Sequence, residues 1–453
     1  MADTLLSVGL DVGTTSTQLV VSRLTVENRA SAFAVPELEI AEREIVYQSP
    51  VHFTPILEEK RMDAAALRRL VEEEYKAAGI CREDVDTGAV IVTGETSRKE
   101  NAAAVMEALS DLAGDFVVAA AGPDLESVLA ARGSGAVSHS SRTGKTLLHM
   151  DIGGGTCNLA LIRAGKVEAT GCLNVGGRLI KLTKTGEITY ISPVLSGIFS
   201  GKPGKVLTRE EAEKLTELLA EVMEMAAGLI PSNGLLEKLT TEEAASSLPL
   251  QRPGEEVTLS FSGGVADCIE RDVPWLAYGD LGPLLGKAIR ESRLCRGEYL
   301  LGSQTIRATV IGAGCHSTQL SGSTVFSRNV TFPLKNVPVI TELSRREIQE
   351  KPPFLALPGI TSPHYSQVTA LAEKLAGSLR SPVYLCIEQD MAKALGQALA
   401  LRMGKDAEIL CIDRIRVAEG SYLDVGAPIG PAFPVVIKTL IFQGNDDLFS
   451  VSP

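Results

Sequence analysis

Two aspartates, Asp11 and Asp151, hold the same position in two similar stretches of the chain. Each ends an apolar run and is followed by glycine, by threonine and then by a second apolar run. The stretches are VGLDVGTTSTQLVV (8–21) and LHMDIGGGTCNLALI (148–162). This order predicts a strand, a tight turn and a second strand in both places. The chain therefore contains two predicted hairpins, each with an aspartate where its first strand ends.

The residue types in these turns suit a phosphate and its metal ion. Glycine lets the backbone approach a phosphate closely, and a positive φ lets successive amides converge on one anion. Threonine hydroxyls add donors, and carboxylates hold Mg²⁺ through water beside nucleotide phosphates. A single such turn is often an ordinary hairpin, but two of them predict a phosphate held from both sides. The hydroxyl donors are Thr14, Thr15 and Thr156.

A third motif, SGGVAD (262–267), follows a buried strand. Its two glycines, Gly263 and Gly264, fall at a predicted turn from strand to helix, where a flat base or a ribose can lie on bare backbone. In isolation the motif is better explained as a helix start that needs tight packing. Beside the two hairpins, it predicts the adenosine part of a nucleotide site.

Composition limits the protein classes that can carry these motifs. The chain has 453 residues, 45% of them hydrophobic and 4% aromatic, with 42 glycines, which is typical of an α/β protein with two or three domains. A net charge of −12 disfavours nucleic acid or an anionic membrane as the main partner. The eight cysteines include no C-x-x-C pair, so we expect mostly buried thiols in a reducing cytosol. No apolar run approaches the roughly 20 residues that cross a bilayer.

Hydrophobic periodicity places the remaining elements. Helices are predicted over 62–77, from Pro123, over 209–227, over 281–292, after His364 and over 391–402. The segment from Asn174 is predicted to begin a helical connection, and the chain from Thr305 is predicted to return to strands. The Gly-rich loop 311–326 is interpreted as a turn between strands. The Gly/Ser-rich stretch 131–145 is predicted to be the first domain boundary, and a second cut is placed near residue 330. The predicted domains are 1–145, 146–330 and 331–453.

The trio of motifs resembles the actin, Hsp70 and sugar-kinase superfamily. The resemblance lies in LDVGTTSTQLVV, MDIGGGTCNLAL and LSFSGGVAD, and it implies a two-lobed, ribonuclease H-like ATPase fold with ATP in the cleft. Segment 92–104 resembles the first connecting helix and 279–289, less closely, the second. The additional C-terminal α/β unit is not found in this form in ordinary sugar kinases.

The same resemblance assigns roles to residues by position. Asp11 and Asp151 hold the Mg²⁺ shell and act in catalysis, and Glu95 positions the attacking water, although a solvated glutamate at a helix start is an equally good interpretation. Many members that hydrolyse ATP carry aspartate where this chain has Asn158, so we expect a slow ATPase. The predicted nucleotide-binding residues are Gly13, Thr14, Thr15, Gly153, Gly154, Gly155, Thr156, Asn158, Gly263 and Gly264.

Taken end to end, the chain resembles the family of ethanolamine ammonia-lyase reactivating factors. The resemblance is carried by AGPDLESVLAARGSGA (121–136), IGAGCHSTQLSGSTVF (311–326), IEQDMAKALGQAL (387–399) and DVGAPIGPAFPVVIKTLIF (424–442). It implies a cytoplasmic chaperone, in some cases within a bacterial microcompartment, that uses ATP and Mg²⁺ to release damaged cobalamin from the lyase.

Two alternatives stay open at this point, together with the oligomeric state. One is a small-molecule kinase of the same superfamily, which needs a general base that Asp267 is poorly placed to supply. The other is an actin-like filament protein. A homodimer is left open. His149 and His316 lie in apolar contexts and are expected to be satisfied polar groups rather than ligands.

Overall fold

The computed structural model describes most of the chain, and its gaps fall in two of the sequence motifs. Thr14, Thr15, Glu95 and nearly all of the segment predicted as the first connecting helix lie outside the described residues. These residues are 3–13, 16–30, 38–58, 61–92, 109, 117–120, 123–241, 248–252, 254–302, 305–316, 318–322, 324–343, 352–417 and 421–439.

The first sheet has the order β3-β2-β1-β7-β8, with the short β4 also paired to β2. Strands β1, β2 and β3 are antiparallel neighbours, whereas β7 and β8 run parallel to β1. A separate pair, β5 and β6, leads into helix α1 (Ala64–Ala78), which ends at the left-handed Gly79. The strands are β1 Asp3–Val12, β2 Ser16–Asn28, β3 Leu38–Gln48, β4 His52–Phe53, β5 Ile56–Glu58, β6 Arg61–Met62, β7 Thr87–Val92 and β8 Val117–Ala120.

The second sheet repeats this arrangement, with the order β11-β10-β9-β14-β15. Again three antiparallel strands come first in the chain, and two further strands run parallel to the first of them. The repeated topology confirms the predicted two-lobed, actin-like α/β fold. The strands are β9 Leu147–Ile152, β10 Cys157–Arg163, β11 Lys166–Leu173, β14 Thr258–Ser262 and β15 Tyr299–Leu301, and the separate pair β12 Ile180–Leu182 and β13 Ile188–Ile191 lies between them in the chain.

Two helices exchange partners between the sheets. Helix α2 (Pro123–Gly133) follows the first sheet but packs on β9, β10 and β11 of the second. Helix α7 (Ala308–His316) follows the second sheet but packs on β1, β2 and β7 of the first. The two helices also pack on each other, and a Cβ on Gly312 would overlap the carbonyl oxygen of Leu129. We call α2 and α7 the crossing helices.

Four further helices lie among the described residues of this part of the molecule. Helix α4 begins at a capping box in which Thr208 accepts a hydrogen bond from the backbone of Glu211, as the sequence predicts. Its apolar face packs on α6, and both helices belong to the core of the second sheet. The helices are α3 Ala136–Thr143, α4 Arg209–Ala226, α5 Gly234–Leu239 and α6 Gly282–Glu291.

The third sheet has eight strands in the order β16-β23-β22-β18-β19-β20-β21-β17. Strands β18 to β21 are parallel, and helices α8 and α9 cover them with apolar side chains such as Leu375 and Leu395. This confirms the predicted additional α/β unit. Its elements are β16 Thr318–Leu320, β17 Phe326–Arg328, β18 Leu334–Ile340, β19 Phe354–Leu357, α8 Tyr365–Ser378, β20 Val383–Ile387, α9 Ala392–Met403, β21 Ile409–Asp413, β22 Ser421–Val425 and β23 Pro434–Thr439.

Four predictions about local structure are wrong. The Gly-rich stretch 311–326 is not simply a turn between strands, because its first residues, 311–316, belong to helix α7. The segment from Asn174 leads to the short strand β12 rather than to a helix, and much of the chain from Thr305 forms helix α7 rather than a strand. The β-branched residues of 305–311 favour a strand locally, but their packing between two lobes decides for a helix. The segment 279–289 is not a crossing helix, because α6 packs within the second lobe.

Two further points concern the domain division. The stretch 131–145 contains helix α3, although it was predicted as a polar boundary segment. The third sheet takes strands from both sides of residue 330. The division into 1–145, 146–330 and 331–453 stays a prediction. In the part of the chain that the structure describes, every helix is too short or too polar to cross a membrane.

Candidate nucleotide site

Both predicted hairpins form, and their turns close in the same way. In the first, the backbone amide of Gly13 donates to the carbonyl oxygen of Ser16 at 2.9 Å. In the second, the amide of Gly153 donates to the carbonyl oxygen of Thr156, also at 2.9 Å. The hydrogen bonds that close the two turns therefore join equivalent positions of the two motifs.

Each aspartate faces a side-chain amide on the next strand. Asp11 lies opposite Gln18 in the register of β1 and β2, and Asp151 lies opposite Asn158 in that of β9 and β10. Directly opposite residues of an antiparallel pair share one face of the sheet. Sequence analysis missed Gln18, although the common spacing of seven residues from each aspartate was available as a signal.

Both amides present a buried oxygen to the site. Gln18 and Asn158 are 3% and 4% exposed, and among the described residues neither Gln18 Oε1 nor Asn158 Oδ1 has a hydrogen-bond partner. Buried polar atoms are rarely left without a partner, so an unpaired oxygen on the same sheet face as a carboxylate is a candidate ligand of a cation. Mg²⁺ prefers oxygen ligands, and two carboxylates with two amide oxygens suit a hydrated ion that also contacts phosphates. The donor set therefore fits the metal that the fold family implies.

The glycine loop of the second hairpin rests on the segment after β11. Gly177 donates its backbone amide to the carbonyl oxygen of Gly153 at 3.0 Å, and Arg178 donates to that of Gly154 at 2.6 Å. A Cβ on Gly176 would overlap the carbonyl oxygen of Gly154. Gly155, by contrast, is exposed and has open space around its Cα. The loop is thus held from below, while its outer backbone stays accessible to an anion.

Asp151 is buried, at 8% exposure, and two hydroxyl groups bond to its carboxylate. Ser262 Oγ donates to its Oδ1 at 2.5 Å, and Thr309 Oγ1 donates to its Oδ2 at 3.4 Å. Burial raises the pKa of Asp151 to about 6, while these two hydrogen bonds favour the ionised form. A cation beside Asp151 would compensate the charge that burial disfavours.

His149 supports this arrangement from beneath. Its Nε2 lies 2.9 Å from Ser262 Oγ and its Nδ1 lies 3.0 Å from Ser260 Oγ. Burial lowers the pKa of His149 to about 3, so the ring is neutral. Because Ser262 donates its proton to Asp151, its oxygen accepts from Nε2–H. His149 is a satisfied polar group, as predicted; the side chain of His316 lies outside the described residues.

The turn predicted after the strand that precedes SGGVAD also forms. Gly263 follows β14 with φ +90°, and its Cβ would overlap the carbonyl oxygen of Ile152, so only glycine fits there. Gly264 is half-buried, and a Cβ added there would come within 4 Å of the Ile306 side chain. The backbone at Gly264 is therefore accessible to a flat ligand.

One segment, 305–309, connects all three motifs, and sequence analysis missed it. The carbonyl oxygen of Thr305 accepts from the amide of Gly263 at 2.9 Å. That of Ile306 accepts from Gln18 Nε2 at 3.2 Å, and Thr309 reaches Asp151. The segment opens crossing helix α7, so a movement of that helix changes contacts at both hairpins.

A second missed residue is Glu126 of crossing helix α2. Its Oε2 accepts a hydrogen bond from Asn158 Nδ2 at 2.8 Å, and the Glu126 residue is 7% exposed. Nothing in the sequence distinguishes Glu126 from an ordinary acidic residue in the first turn of a helix. The structure thus places a carboxylate next to the position where Asn158 replaces an aspartate.

The doubled sheets, the crossing helices and the paired aspartate hairpins define a protein of the actin-like ATPase class. The comparisons with known proteins identify the family. The chain matches the family of the ethanolamine utilisation protein EutA over residues 3–356 and 342–443, and it belongs to that family.

Two curated relatives share 38% identity with this chain. Both are ethanolamine ammonia-lyase reactivases EutA, from Salmonella typhimurium and from Escherichia coli, and each alignment covers 97% of this chain and 98% of the relative. Among solved structures, a PPX-GPPA enzyme of Aquifex aeolicus has 13% identity and a TM-score of 0.42, over 68% of this chain and 99% of that one.

Proposed function

We propose that this chain is an ATP-dependent reactivating chaperone for adenosylcobalamin-dependent ethanolamine ammonia-lyase. It releases damaged cobalamin from the lyase, so that intact coenzyme rebinds. The observation that carries the proposal is the 38% identity, over nearly the whole length of both chains, with two curated reactivases of that enzyme.

In this proposal the site binds ATP with Mg²⁺. Asp11 and Asp151 hold the hydrated ion, with the amide oxygens of Gln18 and Asn158 beside them, and the ion neutralises phosphate charge when bound. The two unpaired amide oxygens support this assignment. Glu95 positions the attacking water. The phosphates are bound by Gly13, Thr14, Thr15, Gly153, Gly154, Gly155, Thr156 and Asn158. The adenosine lies on Gly263 and Gly264.

The crossing helices supply a route from nucleotide to partner. Because α2 and α7 each pack on the other lobe's sheet and reach the second hairpin through Glu126 and Thr309, closure on nucleotide moves both helices. Closure does work on the lyase only if the lyase binds the open and closed forms with different affinity. Slow hydrolysis suits such a switch, because it prolongs the nucleotide-bound state.

The kinase alternative has less support. Thr305 Oγ1 donates a hydrogen bond to Asp267, so this carboxylate is engaged on the adenosine side of the site. Neither curated relative is named as a kinase. The remaining parts of the proposal are a cytoplasmic location, association with a bacterial microcompartment, and a homodimer.

Reactivation of the inhibited lyase tests the proposal. The purified chain is incubated with ATP, Mg²⁺ and lyase that carries cyanocobalamin, adenosylcobalamin is added, and deamination of ethanolamine is measured. We expect activity to return with the wild type and not with Asp151→Asn. No recovery with wild-type protein would overturn the proposal, and phosphate transfer from ATP to a small alcohol would favour the kinase.

A further inference from the structure

Asn158 and Glu126 form a buried pair that joins the second hairpin to crossing helix α2. The amide nitrogen of Asn158 lies 2.8 Å from Glu126 Oε2. Both residues are more than nine-tenths buried, at 4% and 7% exposure. A hydrogen bond to a buried carboxylate contributes more than one between neutral groups. The pair is therefore a strong constraint on the Asn158 side chain.

This hydrogen bond fixes which way the amide points. An ionised carboxylate only accepts hydrogen bonds, so the NH₂ group of Asn158 must face Glu126 and its oxygen must face away. That oxygen, Oδ1, is buried and has no partner in the part of the chain that the structure describes. Asn158 lies directly opposite Asp151, and the two side chains share one face of the sheet.

The first hairpin shows the same arrangement independently. The NH₂ group of Gln18 is held by the carbonyl oxygen of Ile306, and its Oε1, opposite Asp11, is buried with no partner among the described residues. In both hairpins an acceptor from another element holds the amide nitrogen, and the amide oxygen stays available. Only at Asn158 is the acceptor a side chain with a charge.

We propose that Glu126 is a positioning residue that aims the Asn158 oxygen at the cation side of Asp151. This inference rests on the proposed binding of nucleotide with Mg²⁺. The contact with Glu126 also bears on which residue type is accommodated at position 158. An aspartate there would lie within hydrogen-bond distance of Glu126 but would have no N–H to donate, so the contact that orients the side chain at position 158 would be lost. Glu126 therefore favours an amide at position 158.

An exchange of the two groups tests the inference. The variants are Asn158→Asp, Glu126→Gln and the double variant, in which carboxylate and amide have changed places. Calorimetry measures the affinity for ADP with excess Mg²⁺ and again with a chelator, and thermal unfolding reports on the fold. We expect Asn158→Asp to lose about tenfold or more of the Mg²⁺-dependent affinity and to unfold at a lower temperature. The double variant should recover to within about threefold of the wild type, since it restores one donor and one acceptor.

A matched control is Asp124→Asn on the same helix. Asp124 accepts a hydrogen bond from Thr170 Oγ1 at 2.5 Å, and an asparagine keeps that acceptor while losing the charge. This control should bind like the wild type. The inference fails if Asn158→Asp binds like the wild type or if the double variant is as impaired as Asn158→Asp. If the wild type binds ADP equally with and without Mg²⁺, the proposed metal site fails, and the inference fails with it.

Discussion

The two hairpins have the same topology, the same turn closure and the same aspartate and amide pair, yet they differ in what surrounds them. Asp11 is half-buried, whereas Asp151 is 8% exposed and bonded to Ser262 and Thr309. Gln18 is held by a neutral backbone oxygen, whereas Asn158 is held by the Glu126 carboxylate. The second hairpin is therefore tied by side chains to both crossing helices. A change in the packing of those helices reaches the nucleotide mainly through Asp151 and Asn158.

The contacts that support the two turns also differ. Disturbing the support of the second turn should cause a larger loss of stability and binding than changing either amide. Gly176→Ala places a Cβ against the carbonyl oxygen of Gly154, and backbone cannot move aside easily. We expect about 2–3 kcal/mol of lost stability and loss of nucleotide binding, because the loop that holds the phosphates shifts. Chemical denaturation and calorimetry measure the two effects.

The control for this change is Gly234→Ala, at a helical glycine that has no atom within 4 Å of an added Cβ. Its unfolding and its nucleotide affinity should equal those of the wild type. On the first hairpin, Thr54 Oγ1 donates to the carbonyl oxygen of Gly13 at 2.7 Å, so a side chain supports that turn. Wild-type stability in Gly176→Ala would show that segment 174–178 does not hold the second loop.

Replacing the two amide side chains should lower the stability by unequal amounts, and the difference should be smaller than the effect of Gly176→Ala. Asn158→Leu removes a hydrogen bond to a buried carboxylate, and Gln18→Leu removes one to a backbone oxygen. We expect a loss of about 2–3 kcal/mol for the first and about 1 kcal/mol for the second, measured by chemical denaturation without nucleotide. Equal losses would mean that the charge of Glu126 contributes nothing at Asn158 and that the two hairpins hold their amides equally strongly.

The hairpins, the capped helix α4 and the parallel strands of the third sheet were predictable, because local periodicity and turn chemistry decide them. Gln18 could have been found from its spacing to Asp11. Helix α7 could not, since its β-branched residues favour a strand and its packing depends on a glycine contact with Leu129 in α2. Glu126 could not either, because its partner is 32 residues away in the chain and its charge alone indicates only a helix start.

The measurement that tests the central claim most directly is a double-mutant cycle between Asp11 and Asp151. Calorimetry gives the affinity for ADP with Mg²⁺ in the wild type, in Asp11→Asn, in Asp151→Asn and in the double variant. If both aspartates hold one ion, each single change weakens binding about tenfold or more, and the double variant is at most about threefold weaker than the weaker single variant. Losses that simply multiply in the double variant, or single variants that bind like the wild type, would contradict a clamp shared by the two hairpins.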